Sequence, residues 1–299
     1  MKSFYKKFAI ILFGIILFLA ILFVIWQTTK KTKIPETKTQ IPPLVVEVKT
    51  PNPQEKVLGL SVEGRKIESY VFGQGKTQLV FAGGIHGGYE WNSVLLMYEL
   101  IDYLAQNLES IPDNLTVTII PSLNPDGVFK VVGKSGRFTA ADISAKNTAS
   151  GRLNANGVDL NRNFDCNWQP EGIWQGNKVS AGTKAFSEPE SAALKKFVLE
   201  ANPSAIIFWH SKSNAIYGSQ CNGDMLLETK NIMDIYSKAS GYKTVATFDQ
   251  YQVTGDASDW LALIGKPSMT IELSSHESLD WEKNINGIKA LFEYYKNKN

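Results

Sequence analysis

The chain has 299 residues, of which 43% are hydrophobic and 20% are charged. These are ordinary values for a globular protein, and the length suffices for one large domain or two small ones. The formal net charge is +2, but residues 1–40 hold seven lysines and one glutamate, so the remaining 259 residues carry a net charge of −4. A mildly acidic body lacks the basic surface that binding to phosphate backbones requires, which excludes nucleic acid as an expected partner.

The N-terminus combines a short basic segment, residues 1–7, with an uncharged apolar run over residues 8–26. At about 1.5 Å per residue, this run has roughly the length of a bilayer's hydrocarbon core, and it predicts a transmembrane helix. A signal peptide is the competing interpretation, because a basic start precedes the apolar core of such peptides as well. The run is longer than a usual signal core, and no small-residue cleavage site follows it. We therefore favour an uncleaved membrane anchor, with the body extracytoplasmic, at the cell surface or in the periplasm.

Residues 27–56 are rich in Thr, Lys and Pro, and they predict an extended stem that does not fold alone. Within this stem Leu44, Val46 and Val48 are spaced two residues apart, so a short edge strand is the other interpretation of that stretch. A single folded body is expected over residues 57–299.

Strand-like and helix-like patterns alternate through the body. Strands are predicted at residues 78–84, 115–122, 204–209, 244–248 and 268–273. Helices are predicted at residues 92–107, 225–240 and 281–296, and another after the capping-box pair Ser187 and Glu190. Such alternation favours an α/β fold, with a mixed, mostly parallel central sheet that is flanked by helices on both faces.

Polar side chains follow the predicted strands at the points where the strands end. His86, Asn124, His210 and Glu272 each lie at or just past such an end. Because sites in open α/β sheets gather at the carboxyl ends of the strands, we expect these four residues to share one site. The long polar stretch at residues 130–152 is typical of a loop near such a site.

His86, Glu90 and His210 form a candidate ligand set for one zinc ion. A catalytic zinc takes three protein ligands of these types and keeps a further position for water or substrate. Such an ion acidifies a water and polarises a carbonyl group, so the set predicts a hydrolase. The alternative is that His86 binds nothing and Glu90 is a carboxylate near the positive end of a helix. His276, the third histidine of the chain, fits no ligand motif and is expected to be structural or to lie at the rim of the site.

Several motifs occur in the order found in one enzyme family: GGIHGGYEWN, SLNPDG, ASGRLNANGVDLNRNF, YQVTGDASDW and SMTIEL. In these motifs the chain resembles the zinc carboxypeptidases of the funnelin type, over residues 57–290. The resemblance implies that His86, Glu90 and His210 bind one Zn²⁺ per chain. Members of that family usually have two residues between the first His and the Glu, whereas three stand here. Two of the three are glycines, which give the backbone the freedom to absorb an insertion.

The same resemblance implies roles in substrate binding. Asn161 and Arg162 match the pair that holds the terminal carboxylate of the substrate, a task that suits a forked guanidinium with an added amide donor. Tyr251 matches a mobile tyrosine that caps the substrate, and Ser258 stands where relatives line the side-chain pocket. Asp256 lies close to that position, where it either meets a basic side chain or caps the helix that follows.

Two further residues match catalytic groups of the family. Glu272 matches the glutamate that takes a proton from the attacking water and passes it to the leaving amine. Arg152 matches the arginine that polarises the scissile carbonyl and supports its oxyanion. Arg137 is a rival for this second role, although it lacks the local sequence context.

The chain contains two cysteines, Cys166 and Cys221. In an exported protein an even pair favours one disulfide, and two buried free thiols are the alternative.

Three functional hypotheses follow. The first is a membrane-anchored zinc carboxypeptidase, which removes the C-terminal residue from extracytoplasmic peptides that have a free carboxylate. The second is a cell-wall peptidase of the same family, which cuts the stem peptide of peptidoglycan. The third is an anchored, catalytically inactive binding module, and its only support is the extra residue between His86 and Glu90.

Overall fold

The computed structural model describes residues 16, 18–27, 53–143, 147–248 and 253–298. The chain divides into two compact units, Met1–Lys49 and Thr50–Asn299. The described residues of the first unit are helical. Among the residues described, no helix is both long enough and apolar enough to traverse a bilayer. The remainder of the predicted anchor, residues 8–15 and 17, lies outside the described residues.

The described part of the second unit is built from alternating strands and helices. Its strands are β1 (Gln54–Leu60), β2 (Lys66–Gly73), β3 (Thr77–Ala82), β4 (Leu115–Ile120), β5 (Glu171–Trp174), β6 (Asn177–Ser180), β7 (Ala205–Ser211), β8 (Ala215–Gly218), β9 (Lys243–Val245) and β10 (Ser268–Leu273). Its helices are α1 (Trp91–Gln106), α2 (Pro125–Val132), α3 (Pro189–Ala201), α4 (Leu227–Ser240), α5 (Ala257–Leu263) and α6 (Trp281–Lys296). The predicted α/β fold is thereby confirmed.

Eight of these strands form one mixed sheet in the order β1-β2-β4-β3-β7-β10-β8-β9. The four central strands, β4, β3, β7 and β10, run parallel to one another, while β2 and β8 are antiparallel to their central neighbours. From β3 the chain moves outward to β4, and it then crosses back to place β7 on the other side of β3. Connections therefore leave β3 and β7 in opposite directions, and a crevice forms at such a switch point, at the carboxyl ends of the strands.

Each face of the sheet buries its own apolar cluster. Leu79 and Phe81 of β3 point to the face covered by α1, α4 and α6, whereas Val80 and Ala82 point to the face covered by α3 and α5. This division follows from the two-residue side-chain period of a strand. Because both faces are covered, the central strands are apolar throughout, and all seven residues of β7 are buried. A covered, rigid sheet fixes the positions of the side chains that follow its strands.

Two helix starts show how local sequence sets the boundaries. Asn124 caps α2 by accepting a hydrogen bond from the backbone N–H of Gly127, and Pro125 occupies the first helical position. The predicted capping box at α3 is wrong. Glu188 occupies the N-cap position without a side-chain cap, because the Ser187 hydroxyl donates to the Glu188 carboxylate and Glu190 accepts from a distant backbone N–H.

Other elements differ from their predicted bounds. β1 begins at Gln54, within the predicted stem, and the suggested strand around residues 44–48 lies outside the described residues. The polar stretch at residues 130–152 contains the end of α2 and two short 3₁₀ turns, and its residues 144–146 are not among those described. The hairpin β5–β6 was not predicted, because four-residue strands leave too short a pattern to read.

Candidate active site

A cavity of about 700 Å³ opens at the carboxyl ends of the central strands. His86 follows β3, His210 lies near the end of β7, and Glu272 lies near the end of β10. In the parallel pairing of β7 with β10, Glu272 stands directly beside His210. Asn124 also follows a strand and is fully buried. Its side chain caps α2 and donates to the Arg152 carbonyl, so it supports the backbone of the site.

The three predicted metal ligands converge. One ligand atom from each of His86, Glu90 and His210 lies within 4.8 Å of the other two, and all three residues are buried. The Nδ1 atom of His210 is 3.3 Å from Oε2 of Glu90, and the two imidazole ring centroids are 4.9 Å apart. The geometry therefore brings two imidazoles and one carboxylate to a single point.

The extra residue between His86 and Glu90 is absorbed by one tight turn. Gly87–Glu90 forms a single 3₁₀ turn with His86 at its N-cap, so both ligands face the same side. The turn packs closely on backbone, since a Cβ at Gly87, whose φ is +47°, would lie 2.6 Å from the Gly151 carbonyl oxygen. Only glycine adopts that conformation without strain at such a distance. The inactive-module hypothesis thereby loses its only support.

The buried polar atoms of this triad fit a divalent cation. Among the described residues, Oε2 of Glu90 has no hydrogen-bond partner. Burial, together with the positive charge of Arg152 and the nearby His210, holds the pKa of His86 well below its usual value, so this imidazole keeps a lone pair. Burial alone would lower the pKa of His210, but the carboxylates of Glu90 and Glu272 outweigh it and raise that pKa. Two imidazoles and a carboxylate are the nitrogen and oxygen donors that zinc binds.

Asp159 connects the metal ligands to the substrate-binding residues, and sequence reasoning missed it. Its carboxylate is fully buried and lies 3.5 Å from Nδ1 of His86. It accepts a hydrogen bond from Nε of Arg152 at 2.9 Å and forms an ion pair with Nη2 of Arg152 at 2.8 Å. It also caps the turn that carries Asn161 and Arg162 by accepting from the backbone N–H of Asn161. The sequence shows an aspartate in the motif VDLNRNF, but nothing local indicated that it would contact His86, 73 residues earlier, as well as Arg152.

Aromatic rings contact the face of the Arg152 guanidinium, in addition to the Asp159 carboxylate at its edge. Its guanidinium carbon lies 4.6 Å from the Trp174 ring centroid and 5.8 Å from the Tyr89 ring centroid, distances at which a cation is attracted to an aromatic face. Nη1 of Arg152 is 4.0 Å from the Glu90 carboxylate. The rival arginine, Arg137, is exposed and pairs with Asp102 at 2.8 Å, away from the cavity. The structure thus places Arg152, and not Arg137, beside the metal ligands.

Glu272 lies in the cavity with one buried oxygen, Oε2, that has no hydrogen-bond partner among the described residues. Burial and the neighbouring Glu90 carboxylate raise the pKa of Glu272 to about 7. A carboxylate with a pKa near neutrality is suited to accept and return a proton.

Asn161 and Arg162 line the same cavity and are both buried. The Arg162 guanidinium donates to the Asn161 carbonyl at 2.7 Å and to the Ile173 carbonyl at 3.3 Å, so the turn and the β5–β6 hairpin fix its direction. A Cβ at Gly255 would lie 2.2 Å from the Arg162 carbonyl oxygen, which explains why glycine stands there with φ at +65°. The carboxamide of Asn161 is anchored on both atoms, to Asp256 at 2.6 Å and to the Ala257 backbone N–H at 3.0 Å.

The remaining predicted site residues differ in their positions and contacts. Ser258 lines the cavity, and its hydroxyl donates to Asp256 at 2.6 Å. Asp256 caps α5, accepting from the backbone N–H groups of Ser258 and Asp259. His276 lies at the rim, where its ring contacts the Ser211 hydroxyl at 2.8 Å and the Tyr89 hydroxyl at 3.2 Å. Tyr251 lies outside the described residues.

Cys166 and Cys221 form a disulfide, with their Cα atoms 6.0 Å apart. The bond joins the segment that follows Arg162 to the loop that follows β8. Both segments contribute to the cavity wall, through Asn167 on one side and Gln220 on the other. The disulfide therefore ties together two parts of the site.

A candidate metal-ligand triad, a cavity carboxylate with a raised pKa and buried guanidinium groups in one α/β cavity are typical of a metal-dependent hydrolase. Comparison with known families gives the class a name. The family model described as zinc carboxypeptidase matches residues 46–296, and the chain belongs to this family.

The chain is also similar to individual family members. It is 24% identical over 242 residues to gamma-D-glutamyl-L-diamino acid endopeptidase 1 of Lysinibacillus sphaericus, covering 73% of this chain and 60% of that protein. It is 28% identical over 248 residues to metallocarboxypeptidase A of Arthroderma otae, covering 72% of this chain and 57% of that protein. The chain thus spans less than two thirds of the length of these relatives.

Among solved structures, the murein-tripeptide amidase MpaA from Escherichia coli O157 matches with a TM-score of 0.57 at 21% identity. The match covers 83% of this chain and 93% of that one, and it shows a shared fold.

Proposed function

We propose that this protein is a membrane-anchored zinc carboxypeptidase, which hydrolyses the C-terminal peptide bond of peptides outside the cytoplasm. The observation that carries the proposal is that the Arg162 guanidinium and the His86–Glu90–His210 triad line the same cavity. A guanidinium that binds a chain-end carboxylate in this cavity would present the last peptide bond, and no internal one, to the reacting groups.

In this proposal His86, Glu90 and His210 hold the zinc ion, which when bound supplies Lewis-acid activation of a carbonyl and a water. Glu272 accepts a proton from the attacking water at Oε2 and passes it to the leaving amine. Arg152 donates to the carbonyl oxygen as negative charge develops there, and its contacts with Asp159 and Trp174 hold it in place beforehand.

The carboxylate clamp is tested with peptides that differ only at the C-terminus. The zinc-loaded protein should release the last residue from a peptide with a free carboxylate, and the amidated peptide should be a poor substrate. An Arg162→Ala variant should lose about 10²–10⁴-fold in kcat/KM on the free peptide, because two charge-assisted hydrogen bonds are removed. Arg137→Ala is the matched control, since that exposed arginine lies outside the cavity.

Two outcomes would contradict the proposal. Equal cleavage of the amidated and the free peptide would show that a chain-end carboxylate is not recognised. Activity that persists after complete removal of zinc by a chelator would show that the metal is not required.

A second candidate function is cleavage of the stem peptide of peptidoglycan. Its support is the similarity to an endopeptidase named for a bond to a diamino acid and to an amidase named for a murein tripeptide. Purified muropeptides and ordinary peptides with the same C-terminal residue should be compared at equal concentration. A preference for muropeptides would favour this candidate, and equal or lower rates on muropeptides would reject it.

Anchoring by residues 8–26 is part of the proposal and is supported by the apolar, uncharged composition of that run. The full chain, expressed in a bacterial host, should sediment with membranes and resist extraction at high salt and alkaline pH. A chain that starts at residue 27 should not. Protease added outside intact spheroplasts should degrade the body if it is extracytoplasmic, and protection of the body would overturn the proposed location.

A further inference from the structure

Tyr89, one of the three residues between the first two metal ligands, contacts groups from two distant parts of the chain. Its ring packs against Trp174, with the ring centroids 5.1 Å apart, and against His276 at 4.6 Å. Its hydroxyl lies 3.2 Å from Nε2 of His276 and accepts a hydrogen bond from the Gln175 side-chain amide at 3.2 Å. Tyr89 therefore joins the tip of the β5–β6 hairpin, residues 174–177, to the loop that follows β10.

The hydrogen bonds beyond His276 have one consistent direction, and Asn92 sets it. Both amide hydrogens of the fully buried Asn92 are committed, because Nδ2 donates to the carbonyls of Ser275 at 2.8 Å and Ser278 at 2.9 Å. The orientation of this amide is thereby fixed, and its Oδ1 atom accepts from the Ser211 hydroxyl at 3.1 Å. A hydroxyl has one hydrogen, so the 2.8 Å contact between Ser211 and His276 requires that Nδ1 of His276 donates.

The protonation state of His276 follows from this direction. With the proton on Nδ1, the neutral ring keeps a lone pair on Nε2, which accepts from the Tyr89 hydroxyl. Burial, together with the charges of Lys212 and Arg152, lowers the pKa of His276, although Glu90 acts in the opposite direction, and a lowered pKa agrees with a neutral ring. Five side chains thus form one directed series of hydrogen bonds, the Tyr89 chain, which consists of Gln175, Tyr89, His276, Ser211 and Asn92.

The β5–β6 hairpin is not part of the main sheet, so its position depends on contacts of this kind. It forms a separate two-stranded sheet, and at its base a bridge joins Ser180 to Val158. A two-stranded hairpin by itself is marginally stable in water. At its tip, Gln175 and Gly176 form a tight turn with φ angles of +48° and +78°. The Tyr89 chain therefore holds the end of the hairpin that is remote from the bridge.

The hairpin in turn contacts both arginines of the site. The Trp174 ring centroid lies 4.6 Å from the guanidinium carbon of Arg152, and a hairpin carbonyl accepts from Arg162 at 3.3 Å. Arg162 has a closer anchor in the Asn161 carbonyl, at 2.7 Å. The face of Arg152, by contrast, rests on the rings of Trp174 and Tyr89. A displaced hairpin tip should therefore disturb Arg152 more than Arg162.

We propose that Tyr89 and His276 are positioning residues. The Tyr89 chain ties the tip of the β5–β6 hairpin to the segments that carry the metal ligands and the cavity carboxylate, and it thereby fixes the Trp174 ring against Arg152. The lengthened segment between the metal ligands then supplies the anchor of the hairpin. The effect on catalysis rests on the proposed carboxypeptidase function, whereas the direction of the hydrogen bonds does not.

The direction is tested by nitrogen NMR of the intact zinc-loaded protein in detergent micelles, with nitrogen-15 in the imidazole rings. The protein has three histidines, so the His276 signals are identified by their loss in His276→Gln. At about pH 8 the ring should carry a proton on Nδ1 and none on Nε2. In Ser211→Ala, which removes the acceptor of Nδ1, this preference should be lost. In Tyr89→Phe the Nε2 signal should move toward that of a nitrogen without a hydrogen bond.

Two NMR results would overturn the proposed chain of hydrogen bonds. One is a wild-type His276 ring with its proton on Nε2, and the other is a ring that is cationic at this pH. The measurement does not depend on catalysis, so it remains valid if the protein cleaves none of the peptides tested.

The positioning role is tested by steady-state kinetics on a peptide with a free C-terminal carboxylate. Tyr89→Phe keeps the ring and removes the hydroxyl. We expect kcat to fall about 5–30-fold with KM within about twofold, because Arg152 acts on charge that develops during the reaction. Gln175→Leu should also lower kcat, and it should add nothing to Tyr89→Phe, because both variants break the same link. Tyr70→Phe, which removes a half-buried hydroxyl outside the cavity, is the control and should change neither constant.

Zinc content distinguishes this role from an effect on the metal ligands. Tyr89→Phe should bind zinc as the wild type does, and a loss of zinc would overturn the assignment of Tyr89 to the hairpin. Additive effects of the two variants, or a rise of KM without a fall of kcat, would overturn the positioning role and leave the carboxypeptidase function intact. Failure of the zinc-loaded wild type to release any C-terminal residue would instead overturn the proposed function.

Discussion

At the scale of single residues, Asp159 shows how one carboxylate organises the site. It is fully buried, it holds the guanidinium of Arg152 by a hydrogen bond and an ion pair, and it lies 3.5 Å from the imidazole of His86. A carboxylate beside a ligand imidazole fixes the orientation of the ring and raises its basicity. The same carboxylate is the closest counter-charge of the buried Arg152, since the Glu90 carboxylate lies farther away, at 4.0 Å.

An Asp159→Asn variant tests both roles. We expect zinc affinity to fall about 10–100-fold, as is usual when an outer partner of a ligand histidine is lost. The free energy of unfolding should also fall by about 3–5 kcal/mol, because the buried charge of Arg152 loses its closest carboxylate. Competition titration with a zinc chelator and urea denaturation measure these quantities. Asp165→Asn, at an exposed position close by, is the control, and an unchanged zinc affinity in Asp159→Asn would refute the orienting role.

Asp259 makes stability depend on pH. Its pKa is raised to about 7 in the folded protein, by burial and by Asp256, while in the unfolded chain it returns to its ordinary acidic value. The folded state therefore binds more protons than the unfolded state between about pH 4 and pH 7. The contribution of Asp259 to the free energy of unfolding is greatest below about pH 4 and is lost as the pH rises through 7.

Asn at position 259 cannot ionise. The free energy of unfolding of Asp259→Asn should therefore exceed that of the wild type by an amount that grows as the pH rises. Each unit of raised pKa corresponds to about 1.4 kcal/mol, and we expect the advantage of the variant at pH 8 over that at pH 4 to be about 2–4 kcal/mol. Urea denaturation of both proteins at a series of pH values measures it. A constant difference across this range would show that Asp259 titrates normally.

At the scale of elements, the disulfide joins two loops that neither sheet nor helix holds. Cys166 lies after the turn that carries Arg162, and Cys221 lies after β8, 55 residues along the chain. Both loops form part of the cavity wall. The covalent link therefore contributes both to global stability and to the shape of the pocket that receives the substrate.

Replacing both cysteines by serine should lower the free energy of unfolding by roughly 4 kcal/mol, the loop-entropy value for a closed loop of this length. Because the loosened wall belongs to the binding pocket and not to the reacting groups, KM should rise more than kcat falls. Denaturation curves and steady-state kinetics under non-reducing conditions measure the two effects. Wild-type protein treated with a reductant should behave like the double variant, and a loss confined to kcat would contradict the proposed role of the loops.

At the scale of the whole molecule, the metal ligands come from two central strands of the sheet. His86 and Glu90 follow β3, and His210 belongs to β7, which pairs with β3 over Ala205–Phe208. An ion bound between them connects the two halves of the sheet at the point where the chain reverses its direction of winding. Zinc binding should therefore stabilise the fold as a unit.

Removal of zinc should lower the melting temperature. At a free zinc concentration about 1,000 times the dissociation constant, binding adds roughly 4 kcal/mol, which corresponds to a shift of about 8–16 °C for a domain of this size. Calorimetry with and without a chelator measures the shift. His210→Ala should melt at a temperature that the chelator no longer changes, whereas an equal shift in wild type and variant would place the ion elsewhere.

The sequence alone determined the features that depend on local patterns. The alternation of apolar runs with helical periods predicted the α/β class. The central parallel strands and the long helices were predicted to within a few residues, because strand and helix periods are properties of neighbouring residues, whereas β1, β2 and β8 were not predicted. The strand-end positions of His86, His210 and Glu272 followed from the same patterns, and the parallel sheet then brought them together. Short elements such as the β5–β6 hairpin have too few residues for their periodicity to be recognised in the sequence.

Only the tertiary structure decided which side chains meet across long stretches of chain. The sequence left two interpretations of Asp256 open, a contact for a basic side chain or the cap of the following helix. The fold makes it the cap of α5 and also commits its carboxylate to Asn161, 95 residues away. It also joined Cys166 to Cys221 and set Asp159 between His86 and Arg152. Such pairings depend on how packed helices and strands are placed in space. Periodicity along the chain carries no information about which residues, distant in sequence, become neighbours in the fold.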